Sequence, residues 1–177
     1  MTKLLFIPGS LRSASSSRAL INALKGRLEG GAISCVTADP GTLPHYNADI
    51  VNDAAVAAFI DQVTTADGVV FVTPEYNYSI PGVLKNAIDW ASRPAYASAF
   101  KDKPCSVITV SGGALGGVRA QAHLKYVLNG MLAKVFPSQE IVVPHSGQKV
   151  SDGIFNDAQV LDFAETTLLA FVADIRG

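Results

Sequence analysis

The sequence predicts a doubly wound α/β fold, and three observations predict it. Short, nearly continuous apolar runs recur along the chain. Longer stretches with helical spacing of their apolar residues stand between them. The alternation of the two repeats five times within 177 residues, with no internal repeat, low-complexity segment or linker. Strands covered on both faces read as near-continuous apolar runs, and their alternation with helices builds a parallel sheet with helices on both faces. The length suits one domain with one sizeable core, taken as residues 1–177.

The elements follow in order. Leu4 to Pro8 ("LLFIP") reads as the first strand. Residues 15–29 follow as a helix, with Leu20, Ala23, Leu24 and Leu28 near one face and Gly30-Gly31 as its stop. "ISCVT" is the second strand, and the Pro/Gly-rich "DPGTLPHYNAD" is a loop. Val56, Phe59, Ile60 and Val63 mark the second helix by their spacing. "GVVFVT" (68–73) is the third strand. Leu84, Ala87, Ile88 and Ala91 give the next helical stripe, with Pro81 tolerated near its first turn. "CSVITV" is the fourth strand, "SGGALGG" a loop, and a helix runs from Val118 to Lys134. "EIVVP" is the fifth strand, and a helix over 156–175 closes the chain, lined by Leu161, Ala164, Leu168, Phe171, Val172 and Ile175. A short five-stranded chain of this kind suits the flavodoxin-like strand order 2-1-3-4-5, in which ligands sit at the carboxyl ends of the strands.

Composition narrows the function classes. Apolar residues make up 49% of the chain, which excludes a disordered polymer. A formal net charge of −1 without any Lys/Arg run argues against a nucleic-acid partner. Cys35 and Cys105 lie in apolar stretches. One pair is too few for a disulfide framework or a four-cysteine zinc site, and reads as buried thiols in a reducing compartment. No stretch reaches the roughly 18 apolar residues of a membrane span. "MTKLLFIPGS" lacks the apolar core and cleavage site of a signal peptide. A soluble, cytoplasmic protein is therefore expected. His45, His123 and His145 are far apart and show no HExxH spacing, so no metal site is expected. No GxSxG nucleophile elbow occurs.

Three loops carry the functional signal, each following the carboxyl end of a strand. The first, "GSLRSASSSR" (Gly9 to Arg18), offers Ser10, Ser13, Ser15, Ser16 and Ser17 with Arg12 and Arg18 just ahead of a helix. Free N–H groups and the partial positive charge of a helix N-terminus, joined by hydroxyls and an arginine, make a phosphate cradle. Taken alone, the segment reads equally as a Ser-rich loop with one N-cap. Neither GxxxxGK[ST] nor GxGxxG is present, which points to a single terminal phosphate. The second loop, "PEYNYSIP", presents Glu, Tyr, Asn and Tyr directly behind a buried strand, more than a plain turn requires. The third, "SGGALGG" (Ser111 to Gly117), holds four glycines in seven residues, which permits close approach of backbone to something flat. Together the three loops fit a mononucleotide with a large planar ring.

"GSLRSASSSR", "TPEYNYSIPGVLKNAIDW" and "SGGALGG" together resemble the NAD(P)H-dependent FMN reductases of flavodoxin-like fold, a family that includes bacterial quinone, chromate and azo-dye reductases. The resemblance spans essentially the whole chain, and the central motif is long and specific. It implies that Ser10, Leu11, Arg12, Ser15, Ser16 and Ser17 surround the FMN phosphate. It implies that Pro74, Glu75, Tyr76, Asn77 and Tyr78 wrap the isoalloxazine edge, largely through backbone groups, and that Ser111 adds a further contact. Ser17 stands where many members carry Asn, which bears on the strength of that contact.

The implied activity passes electrons from NAD(P)H to quinones or similar small oxidants, such as azo dyes, chromate or free flavin, by a ping-pong route. The flavin supplies the chemistry, so no catalytic side chain is implied. The competing reading is a flavodoxin-type electron carrier without nicotinamide-dependent turnover. Near-neutral charge and "GSLR" oppose it, because flavodoxins are strongly acidic with a Thr/Gly-rich phosphate loop. The resemblance also implies a homodimer or homotetramer with "PEYNYSIP" near the boundary. Arg119 and Glu140 match positions that pair across subunits, whereas Ala122 stands at a Tyr position of relatives. Tyr78 and Trp90, if exposed, suit such an interface, and otherwise read as ordinary core residues.

Overall fold

Strand β1 (Thr2–Pro8) runs through the interior of a parallel sheet, with β2 (Ile33–Thr37) on one side and β3 (Gly68–Pro74) on the other. The computed structural model describes residues 1–177. Beyond β3 lie β4 (Pro104–Val110) and then β5 (Lys134–Val135), giving the order β2-β1-β3-β4-β5. This is the flavodoxin-like order. Five helices connect and cover the strands: α1 (Ser16–Leu28), α2 (Ala54–Thr65), α3 (Gly82–Ala91), α4 (Val118–Gly130) and α5 (Ala158–Arg176). None is long and apolar enough to cross a membrane.

The pleat divides the core in two. Successive strand residues point to opposite faces. Leu4 and Phe6 therefore pack against Leu20, Leu24 and Phe171 of α1 and α5, while Leu5 and Ile7 pack against Phe59, Leu84 and Leu124 of α2, α3 and α4. Both faces being covered explains why the strands read as unbroken apolar runs.

The fifth strand differs from expectation. It is split: β5 pairs with the start of β4 at Pro104 and Cys105, and β6 (Ile141–Val143) pairs with its end at Ile108 to Val110. Pro137 lies in the interruption, where a residue without an N–H could not serve a ladder. The fourth helix is also shorter than its periodicity implies, ending at Gly130 rather than at Lys134. Leu132 takes φ +61°, which turns the chain into β5.

Past β6 a small hairpin appears that the sequence reading passed over: β7 (Val150–Ser151) and β8 (Ile154–Phe155), antiparallel. Asp152-Gly153 joins them with positive φ at both residues, the pairing that two-residue hairpins select. Trp90 is 7% exposed, and its Nε1 donates to the Pro44 carbonyl at 2.8 Å. It belongs to the core, which decides between the two readings in favour of a core residue over an exposed interface tryptophan.

Candidate active site

A crevice of about 440 Å3 opens at the carboxyl ends of β1, β3, β4 and β6, with mostly polar walls. Its first wall is the loop after β1. The Gly9 amide donates to the Val72 carbonyl at 2.9 Å, and a Cβ on Gly9 would stand 2.0 Å from Thr73 Oγ1. Only glycine lets the loop cross β3 this closely. Ser10, 2% exposed, then accepts from the Arg12 amide at 3.3 Å and lies 3.4 Å from the Tyr76 hydroxyl.

Ser15 caps α1. Its Oγ accepts from the Arg18 amide at 3.1 Å and sits 3.1 Å from Ser17 Oγ. The amides of Ser16 and Ser17, in the first turn, have no acceptor within the chain. These are the orphan donors that make a helix start an anion site. Arg12 is exposed, lines the crevice beside them, and makes no side-chain bond within the chain. Arg18 turns away: its Nε donates to the Ser10 carbonyl at 3.4 Å, and its Nη2 is 3.9 Å from Asp39. The loop thus has one inward arginine, whereas the sequence offered two. Leu11 packs towards Gly41 and does not line the crevice.

The second wall is Pro74, Glu75 and Tyr76. Tyr76 and Ser79 exchange backbone bonds of 2.9 and 3.0 Å around a two-residue turn. Asn77 (φ +48°) and Tyr78 (φ +68°) occupy its centre. Asn tolerates the left-handed region, but a tyrosine there is strained. The Tyr78 ring is met by the Arg119 guanidinium at 4.3 Å. Neither Asn77 nor Tyr78 lines the crevice itself.

Glu75 has a second task. Its carboxylate accepts from the amides of Arg119 (3.1 Å) and Ala120 (3.2 Å) and from Arg119 Nη1 (3.3 Å). The capping position of α4 is Gly117, which has no side chain to offer, so Glu75 caps this helix from another loop. Its own amide has no acceptor within the chain.

The third wall is Ser111 and Gly112. Ser111 Oγ accepts from the Gly113 amide at 3.1 Å. Gly112 is open, with nothing within 4 Å of a Cβ. Gly117 serves the fold instead: it has φ +86°, and a Cβ would stand 2.9 Å from Thr109 Cβ. The four glycines therefore divide, and only the first part of the loop is bare towards the crevice.

A fourth wall, Ser146, Gly147 and Val150, was not anticipated. Its signal was available. Ser-Gly follows the carboxyl end of the last strand, the same position from which the other three loops were chosen. His123, by contrast, sits outside the crevice with Nδ1 3.0 Å from Ser79 Oγ. No cluster of His, Cys, Asp and Glu stands close enough to hold a metal ion.

The volume falls within the roughly 300–1,000 Å3 common for small-molecule sites. One end carries amide donors, hydroxyls and an arginine, and the other carries an aromatic, a proline and bare backbone. A family model described as NADPH-dependent FMN reductase matches residues 2–148, which includes all four walls except Val150. The chain belongs to the NADPH-dependent FMN reductase family.

Relatives within reach of this family agree. A 2-hydroxy-1,4-benzoquinone reductase of a Burkholderia species is 36% identical over 177 residues, covering 98% of this chain and 96% of its own. An NAD(P)H-dependent FMN reductase of Pseudomonas aeruginosa is 45% identical over 129 residues, covering 71% of this chain and 69% of its own. Among solved structures, the flavoenzyme NAD(P)H:(acceptor) oxidoreductase FerB of Paracoccus denitrificans superposes with a TM-score of 0.87 at 35% identity, covering 99% and 98% of the two chains. As a family member the chain is an oxidoreductase, and the donor-rich end of the crevice has the chemistry to hold the phosphate of FMN.

Proposed function

We propose that the chain binds FMN in this crevice and passes electrons from NAD(P)H to quinones or similar small oxidants. The observation that carries the reading is the layout of one crevice: free first-turn amides of α1 and Arg12 at one end, Pro74 to Tyr76 and Gly112 at the other. Ser10, Arg12 and Ser15 to Ser17 would hold the phosphate. Amides of Glu75 and Asn77 would face the polar edge of the ring, with Tyr76 beside it and Ser111 across from it. Bound FMN accepts a hydride and releases electrons to the oxidant. The protein holds the ring, anchors its tail and leaves one side open. One opening used in turn by nicotinamide and oxidant gives ping-pong kinetics. It also gives the breadth of oxidants, azo dyes, chromate and free flavin among them, that the resemblance implies.

The reading is tested on the purified protein. It should be yellow, with about one FMN per chain, and either NADH or NADPH should bleach it under anaerobic conditions. Addition of a benzoquinone should restore the colour, and initial-rate plots should be parallel in the two substrates. Bound flavin that no nicotinamide bleaches would instead favour the electron-carrier reading.

We also propose a homodimer with the Tyr76–Ser79 turn near the boundary. Tyr78 is 67% and Tyr126 81% exposed, and aromatics are enriched at interfaces. Within the chain Arg119 already engages Glu75 and Tyr78, and Glu140 pairs with Lys125 at 2.8 Å. A cross-subunit Arg119–Glu140 pair would require both to change partners, so a tetramer built on it has less support than the dimer. Two unpaired buried thiols, Cys35 and Cys105, fit a cytoplasmic setting. Residues 1–177, sharing one sheet and one crevice, are taken as one FMN-binding domain.

A further inference from the structure

The turn after β6 is stitched to the loop after β4. The His145 amide donates to the Gly113 carbonyl at 3.1 Å, and the Ser146 amide donates to the Ser111 carbonyl at 2.9 Å. His145 takes φ +51° to make this possible. The result fixes Ser146 beside Ser111 on the crevice wall. Ser146 is only 5% exposed, yet its hydroxyl makes no hydrogen bond within the chain and is not sealed off from solvent. The other buried serines of the crevice, Ser10, Ser15 and Ser17, all have partners. A hydroxyl with no partner in the chain, reachable from the crevice its residue lines, is free to bond a ligand there. The next amide, Gly147, is also without an acceptor and lines the same wall.

We infer that Ser146 and the Gly147 amide form a binding position for the hydroxylated chain that joins the ring of FMN to its phosphate. This rests on the FMN reading above. A serine hydroxyl both donates and accepts, which suits a polyol. The phosphate end already has its donors at the start of α1, and the ring edge has those of the Glu75 loop. Ser111 and Ser146 are the remaining polar side chains of the crevice, and of the two only Ser146 makes no bond within the chain.

The test measures dissociation constants of the full chain for FMN, riboflavin and lumiflavin, which lacks the polyol, by flavin fluorescence. Ser146→Ala should weaken FMN and riboflavin alike by about three- to tenfold, the range of one lost hydrogen bond, and leave lumiflavin unchanged. Ser146→Thr, which keeps the hydroxyl, should retain most of the affinity. Unchanged affinity for all three flavins would overturn the inference. So would an equal loss for lumiflavin, which would place the contact on the ring, or a loss for FMN alone, which would place it on the phosphate. Should Ser146→Ala fold poorly, the ratio of FMN to lumiflavin affinity in Ser146→Gly decides in the same way. If the unsubstituted chain binds FMN no better than lumiflavin, the FMN reading itself fails, a result separate from any effect of Ser146.

Discussion

Arg12 separates binding from folding more cleanly than any other side chain of the crevice. It is exposed and makes no side-chain bond within the chain, so Arg12→Ala should leave the thermal midpoint of the flavin-free protein within a degree or so. FMN affinity should fall by about tenfold or more, because a charge-assisted bond to phosphate contributes roughly 1.5–3 kcal/mol. Riboflavin affinity should not change, and fluorescence titration of both flavins checks this. Cys105 is the opposite kind of residue. Burial pushes its thiol from the ordinary 9.0 up to about 12. A thiol whose folded pKa lies above its unfolded value contributes stability that is complete below about pH 9 and is lost as the pH rises towards the folded value. Urea unfolding at intervals between about pH 8 and 11 should show this fall, and Cys105→Ala should reduce it, leaving the share of Cys35, which burial raises to about 11. At neutral pH the same thiol should resist disulfide reagents until the chain unfolds.

At the scale of elements, Glu75 joins a loop to a helix. Removing the carboxylate in Glu75→Ala leaves the first turn of α4 without a cap and should cost about 1 kcal/mol, within the usual range for lost caps. Glu75→Gln, still an acceptor, should cost less, and denaturant midpoints compare the two. Gly9→Ala should be worse than either, since its methyl would collide with Thr73 and force the phosphate-side loop away from β3. Such relations explain what could be read from the chain and what could not. The strands and helix faces were legible because burial imposes a period that local spacing reveals: Leu84, Ala87, Ile88 and Ala91 are all buried as expected. Ser15 to Ser17 and Arg12 stood out as candidates because hydroxyls and an arginine at a helix start suit an anion, while the same pattern also serves as an N-cap, as Ser15 does. Glu75's reach to α4 was not, for it spans 44 residues and depends on Gly117 having nothing to offer. The Ser146 turn follows the carboxyl end of its strand as the other three loops follow theirs, but its stitching to Ser111 is tertiary and no local spacing shows it.

For the whole molecule, the proposed dimer sets a measurable mass. Light scattering across protein concentration should give twice the chain mass at tens of micromolar, and a strict monomer with flavin bound and turnover intact would detach the Tyr76–Ser79 turn from any boundary. Arg119→Ala should leave this mass unchanged, since an exposed ion pair contributes only about 0–1 kcal/mol. The divided fifth strand has a different consequence. From Val135 to Ile141 the chain advances six positions while β4 advances three; Phe136 stays packed on Phe171, and Ser138 to Glu140 form the exposed slack between two separately anchored segments. That slack insulates the half bearing the Ser146 turn from the half that follows α4. Two glycines inserted after Ser138 should therefore leave FMN affinity as it was.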